Sequence, residues 1–336
     1  MGWKGTLRSM EAAQRRYERE ARRRQRDLER QRAQLEKMEE LERAAYEVEV
    51  FENHIDILLS FHKECGDTWD WKRIQSSSPP RKPVKATPRQ DSAMTYLDSY
   101  SPGLGDKLLR RSDSKRAALW QAVEEARETD EQQHRDDVKD YERDYVDWQM
   151  TRELAARVLA GDPEAYVQAI EQVNPFEECD GVGLSLSFRT EDSELLEATL
   201  QVNDQDVVPK EALSLLKSGK LSVKKMTKTR HFELFQDHVC GCVLRVAREL
   251  LALLPLTVVI VTAETQLLNT QTGHMELQPI LSALIPRSTL EALNFDMLDP
   301  SDAMNNFVHR TKFLKTKGFQ AVDALKPSDL YSASEP

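Results

Sequence analysis

Between Leu7 and Glu64 the chain contains neither proline nor glycine, and Ala, Arg, Glu, Gln and Leu dominate it. These residues are strong helix formers, so the run predicts one continuous helix, roughly 85 Å long at 1.5 Å per residue. Its C-terminal half carries an apolar 3-4 spacing of Met38, Leu41, Ala45, Val48, Ile55, Leu59 and His62, with Glu52 as the charged intruder. Its N-terminal half offers only Tyr17, Leu28 and Leu35 among arginines such as Arg22, Arg23, Arg24 and Arg26. That half has no core of its own to bury. The expectation for residues 1–65 is a charged helical arm, basic first and coiled-coil afterwards.

Residues 66–104 break the pattern. Ser76-Ser77-Ser78-Pro79-Pro80, followed by Pro83, Pro88 and Pro102, predicts an extended, disordered linker. A second coiled-coil helix is expected over 105–160, where Leu119, Val123, Ala126, Tyr141, Tyr145, Trp148, Ala155 and Leu159 recur at helical spacing around a polar Asp130–Asp137 stretch. Neither helix can cover its apolar stripe alone, so the two are expected to pair within a chain or between chains. Met38, Leu41, Val48, Ile55, Leu59, Tyr141, Tyr145 and Trp148 form the expected oligomerisation seam. The partner is then a second copy or another protein.

Residues 161–325 are expected to fold as one domain without the arm, followed by a flexible tail over 326–336. Asp162-Pro163-Glu164 reads as a capped helix start. Leu184–Arg189 and Leu195–Val202 alternate around Thr-Glu-Asp-Ser and predict a hairpin. Lys210–Lys217 reads as a short helix closed by Gly219. Phe232, Phe235, Val239, Val243, Val246, Leu250 and Leu253 stripe a long helix ending before Pro255. The β-branched run Thr257–Thr262 predicts a buried strand paired with Ile280–Ile285. Ser288 and Glu291 have capping-box spacing, and Asp299-Pro300 predicts a helix through about Lys312. About four strands, partly antiparallel, beside several helices without strict alternation give an α+β class behind a long helical coiled-coil arm.

No catalytic signature emerges. Ser218-Gly219-Lys220-Leu221 lacks both the upstream glycine and the hydroxyl of a phosphate loop. Gly181-Val182-Gly183 lacks the third glycine of a dinucleotide fingerprint. His231, His238 and Cys242 share one helical face but lack a fourth metal ligand, and His54, His62 and Cys65 fall beside the seam. Neither Glu197-Ala198-Thr199 nor Glu264-Thr265-Gln266 supplies a nuclease lysine, and Gly183-Leu184-Ser185 is not completed into a nucleophile elbow. No cofactor and no metal are indicated.

Charge is the remaining signal. The net charge of −10 argues against a uniformly basic nucleic-acid binder, yet it conceals two basic islands. Residues 1–37 hold twelve Lys/Arg against six Asp/Glu. Lys217, Lys220, Lys224, Lys225, Lys228 and Arg230 follow one another with no intervening acid. Lysines on a loop can follow phosphates, so these six are candidate phosphate or nucleic-acid contacts; the alternative is a solvated face. Arg310, Lys312, Lys315 and Lys317 form a smaller group. Aromatic residues are sparse beside both groups, which disfavours base stacking.

Four cysteines with no CxxC pair fit a reducing, cytoplasmic compartment. Leu250–Ala263, interrupted by Pro255, is too short for a membrane span. The segments Ser218–Met226, Leu267–Ser282 and Asp299–Phe313 are similar to stretches of bacterial cytosolic proteins, which implies a bacterial origin. The sequence therefore predicts a non-enzymatic cytosolic interaction or scaffold protein. A nucleic-acid-binding accessory protein is the alternative, and a hydrolase or nuclease with dispersed catalytic residues the third.

Overall fold

The computed structural model describes residues 40–103, 111–176, 185–190, 193–202 and 207–329. The basic half of the arm, Met38, Cys179 and the Gly181-Val182-Gly183 segment lie outside the described residues. The fold is mixed α+β. Its elements are α1 (Glu40–Ser60), α2 (Trp71–Gln75), α3 (Pro88–Ser99), α4 (Ser112–Leu159), α5 (Pro163–Val173), β1 (Ser185–Arg189), β2 (Leu195–Gln201), β3 (Glu211–Leu215), β4 (Leu221–Lys225), α6 (Lys228–Leu253), β5 (Val258–Leu268), β6 (Met275–Pro286), α7 (Arg287–Glu291), α8 (Pro300–Ala303), β7 (Val308–Thr311), β8 (Phe313–Leu314) and β9 (Gly318–Phe319). Of the described chain, residues 73–153 form one compact unit, and 40–72 group with 154–329 in a second.

In the first unit the 48-residue α4 is the longest element. The stretch expected as an extended linker is instead fixed along it. Asp130, at 3% exposure in the middle of α4, accepts the backbone N–H groups of Arg89 (3.0 Å) and Gln90 (2.9 Å). Those donors are among the four that a helix start leaves unsatisfied, and the N-cap Thr87 makes no side-chain bond to them. A buried carboxylate from another helix therefore caps α3. Tyr141, Tyr145 and Trp148 stack in sequence along α4, with ring centroids 5.8 and 5.4 Å apart. The Trp148 indole N–H donates to Ser77 Oγ at 3.0 Å, and Arg152 Nε donates to the Gln75 carbonyl at 3.1 Å. The aromatic stripe expected as a seam is covered, at Trp148, by the preceding part of its own chain.

The second unit is built on a five-stranded sheet of order β1-β2-β5-β6-β7. All its pairings are antiparallel except β2 with β5, whose crossover contains the β3–β4 hairpin and α6. Leu196, Ala198, Leu200, Val259, Val261, Ala263, Leu281, Ala283 and Ile285 share one sheet face by register and are all buried. Helix α6 packs against β5 and β6. On the opposite face Leu195, Val258, Ile260 and Leu284 cluster with Leu325. There Ser282 Oγ accepts the Leu325 N–H at 3.0 Å, which straps the C-terminal segment onto the sheet.

The long hydrophobic helix ends as expected, and Arg287 closes it. Its guanidinium donates to the carbonyls of Leu251 (2.6 Å) and Leu254 (2.8 Å), acceptors left over at the helix C-terminus, and to that of Leu256 (2.9 Å) just beyond it. Glu291 reaches Arg287 at 3.1 Å. The expected Ser288–Glu291 capping box is not formed, because Pro286 is the N-cap of α7 and makes no side-chain bond. Asp299 does cap α8, accepting from Ser301 and Asp302 N–H. That helix does not run to Lys312, since Val308–Thr311 pairs with β6 as an edge strand.

Helix α1 is part of this domain. It packs on α6 and on the β3–β4 hairpin, burying Ala44, Val48 and Leu58, with Phe61 just beyond its end. Of the expected seam, Val48 is buried, Ile55 and Leu59 are half-buried, and Leu41 is 53% exposed. Residues 61–71 then cross α6 as a strap. His238, Gly241, Arg245, Arg248, Glu249 and Ala252 recur at three- and four-residue steps and share a helical face. Arg245 Nε lies 2.9 Å from Glu249 Oε1, with both side chains almost fully buried. The Gly66 N–H lies 3.1 Å from each Glu249 oxygen. Arg248 donates to the His62 and Lys63 carbonyls at 2.6 and 2.9 Å. The Ala252 carbonyl accepts from Trp69 N–H at 2.9 Å, and the Leu253 carbonyl accepts from the Trp71 indole.

Two outcomes follow from this packing. A fragment beginning near Leu159 lacks α1 and the strap, and it should show a broad urea transition, whereas a chain retaining residues 40–72 should unfold in one cooperative step. Glu249→Ala removes the carboxylate that faces Arg245 and the Gly66 N–H, leaving Arg245 with Glu64 at 3.4 Å, and should cost about 1–3 kcal/mol, read as a lower urea midpoint at unchanged slope.

Candidate anion-docking surface

The six cationic residues singled out in the sequence lie on the β3–β4 hairpin and the first turn of α6. Lys210–Lys217, expected as a short helix, is a strand and the start of a turn. Leu213 and Leu215 on β3, with Leu221 and Val223 on β4, recur at the period of two that a strand requires. The register pairs Leu213 with Val223 and Leu215 with Leu221, so the four aliphatic residues share a face. Ala212, Ser214, Ser222 and Lys224 occupy the other face. The turn is closed by Leu216 N–H to the Lys220 carbonyl and by Gly219 N–H to the Leu216 carbonyl, each at 2.9 Å. Gly219 adopts φ +80°, a left-handed conformation that favours glycine. Here Gly219 makes a hairpin turn and not a phosphate loop.

The hairpin lies along α1. At its base the Val207 carbonyl is 2.8 Å from His54 Nε2. At its tip Leu41 Cδ2 lies 3.4 Å from where a Gly219 side chain would begin. Lys217, Lys220, Lys224, Lys225, Lys228 and Arg230 are all exposed. Lys224 and Lys225 point to opposite faces, so the two do not act as one patch. Lys217 sits in the turn, and Lys228 and Arg230 sit on the first turn of α6, where Thr227 Oγ1 accepts the Arg230 N–H. A helix start already carries a partial positive charge, so cations there add to the local potential at a cost of a few tenths of a kcal/mol or more. Among the described residues Lys217, Lys224 and Lys228 pair with no carboxylate, while Lys225 stands opposite Glu211 in the hairpin register. Glu233, the next acid along α6, is engaged by Lys315 at 2.8 Å, and that bond holds its pKa down.

Two members of the smaller basic group are used internally, while Lys312 and Lys317 are exposed. Arg310 binds Asp329 at 3.2 Å and the Ala324 carbonyl at 3.0 Å, while Lys315 takes Glu233. The exposed aliphatics were missed in the sequence. Leu215, Leu216 and Val223 are about half exposed, at 46, 50 and 49%. Their signal was the alternation on either side of Lys-Ser-Gly-Lys, which propensity alone obscured.

The histidine and cysteine candidates lie elsewhere on α6. Cys242 Sγ is 3.5 Å from His238 Nε2, and both residues are fully buried. His231, seven residues earlier, packs edge-on against Phe232. Among the described residues no three His, Cys, Asp or Glu are grouped to hold a metal ion. His62 is buried at 1% exposure against α6, with neither ring nitrogen hydrogen-bonded. Burial pushes the Cys65 thiol up to about 11, with the Glu249 carboxylate adding to it. Thiolate chemistry at Cys65 is therefore disfavoured.

Comparison with known proteins finds no matching family profile, no similar curated protein and no similar solved structure. Among the described residues no helix is long and apolar enough to cross a membrane.

The buried histidines make stability pH-dependent. Burial lowers the His238 pKa from 6.5 to about 4 and lowers that of His62 as well. Both rings are neutral in the fold, so their contribution is complete above pH 6.5 and declines below it, for His238 as pH falls towards 4. The slope approaches about 1.4 kcal/mol per pH unit for His238. Asp237 and Glu249, raised chiefly by burial, act in the opposite sense, so a single-site comparison isolates the ring. Thermal melts of the wild type should fall between pH 6.5 and 4, and His238→Gln should flatten that fall. Identical profiles would remove His238 as the cause.

Proposed function

We propose that the chain is a non-enzymatic interaction protein whose second unit docks through the β3–β4 hairpin onto a phosphate-bearing polyanion. The observation that supports this is the set of exposed cations on and beside the hairpin, three of which have no carboxylate partner among the described residues. A solvated face that merely balances an acidic body would place its lysines beside acids, as Lys315 and Arg310 are placed. Lys217, Lys224 and Lys228 are not so placed, whereas Lys225 faces Glu211 across the strand pair. The positive end of α6 adds to their field and gives an approaching anion a reason to orient. Self-association, or capture of a protein partner by the remaining helical surface, belongs to the same scaffold reading. A nucleic-acid-binding accessory role is its narrower form.

Duplex DNA serves as the polyanion probe. Retention of the full chain should fall with salt at a log–log slope of about −0.9 per phosphate neutralised. Lys224→Ala with Lys225→Ala should reduce that slope by about one unit, because the two lie on opposite faces of the hairpin and one of them meets the polyanion, equally on unrelated sequences. A slope unchanged by the double substitution would return these lysines to a solvated surface.

A further inference from the structure

We infer that the anionic surface met by the hairpin is a lipid bilayer interface, with Leu215, Leu216 and Val223 entering the headgroup layer and the lysines around them holding phosphates. This rests on the polyanion reading above and names its partner.

The argument begins with what accompanies the charges. No Phe, Tyr or Trp occurs between Glu211 and Arg230. Proteins that hold single-stranded nucleic acid stack bases on aromatic rings, and contact with duplex phosphates needs only donors and charge. Neither use calls for exposed aliphatic side chains. The hairpin nevertheless presents Leu215, Leu216 and Val223 about half uncovered, and Leu41 of α1 lies beside its tip at 53% exposure. Leu215 and Leu216 are consecutive, so they point to opposite sides of the strand end and flank the turn. Lys217 and Lys220 sit within that turn, and Lys224 and Lys225 lie one strand-length behind it. An aliphatic tip ringed by lysines matches a surface that is apolar below a layer of anions. Surface-lying membrane segments use the same pairing of basic and apolar groups, and each lysine near an anionic leaflet strengthens binding by about fivefold.

Other occupants fit less well. The chain's own N-terminal segment carries twice as many basic as acidic residues over positions 1–37, so it repels the hairpin. A second copy of the hairpin repels it equally. An acidic protein could satisfy the lysines but gives no particular role to an aliphatic turn between them.

The test uses the full chain with sedimentable vesicles of phosphatidylserine and phosphatidylcholine, vesicles of phosphatidylcholine alone, and duplex DNA. Binding is expected on the anionic vesicles and not on the neutral ones. Leu215→Ser with Leu216→Ser should weaken vesicle binding at least tenfold and leave DNA retention unchanged. Lys224→Ala with Lys225→Ala should weaken both probes, the vesicles by about fivefold, since the two lysines lie on opposite faces and one of them meets the leaflet. Leu216→Ser alone, at a half-exposed turn position, provides the same readout if the double serine variant fails to fold. Vesicle binding that ignores the leucine changes, or DNA binding without vesicle binding, would overturn the lipid assignment and leave the polyanion reading standing. Binding of both probes that ignores the lysine changes would sink both readings.

Discussion

Arg245 and Glu249 lie one turn apart on α6, both removed from water, and the Gly66 backbone closes on the carboxylate they share. A buried pair of this kind recovers little net energy, because two charges must first be stripped of water. Its value is positional. A carboxylate held at that point on α6 accepts one particular backbone N–H, and that fixes where the strap crosses. The neighbouring contacts then fall into place at helical intervals, from Phe61 near His238 to Trp71 at the end of α6. The buried His62 ring is carried into the interior by the same crossing.

The position of α1 follows from the strap, and the hairpin's position follows from α1. His54 meets the hairpin base and Leu41 its tip, so the helix supports both ends of a two-stranded sheet that would be marginal alone. The basic surface therefore depends on a clamp that contributes none of its residues. Substitutions near Gly66 or Glu249 would move the lysines without touching them.

Much of the fold was legible because local rules and tertiary packing agreed. The Asp162 and Asp299 caps, the β1–β2 hairpin, the β5–β6 pairing and α6 from Phe232 onward follow from caps, alternation or periodicity, whereas the first turn of α6, with Lys228 and Arg230, reads in the sequence as loop. The misreadings came where two patterns suited the same residues. Glu211–Leu215 is rich in helix formers, but its leucines also alternate, and pairing with β4 decided the matter. Val308–Thr311 is too short to show alternation and becomes a strand through the exposed edge of β6. In α1 the buried stripe runs through Ala44 and Leu58, not Leu41 and Leu59, because its partners are α6 and a hairpin instead of a matching helix. The six cations were visible as a run. That the hairpin splits Lys224 from Lys225, and that leucines accompany them, required the register.

The strap joins parts of the chain that are far apart in sequence, with Gly66 and Glu249 separated by 183 positions. During synthesis at about 5–20 residues per second, α1 would wait roughly ten to forty seconds for its partner helix to emerge. The unit over 73–153 faces no such delay, since the segments that cover α4 precede it in the chain and are already outside when it forms. The middle of the protein can therefore close first, while the apolar stripe of α1 stays uncovered until α6 arrives.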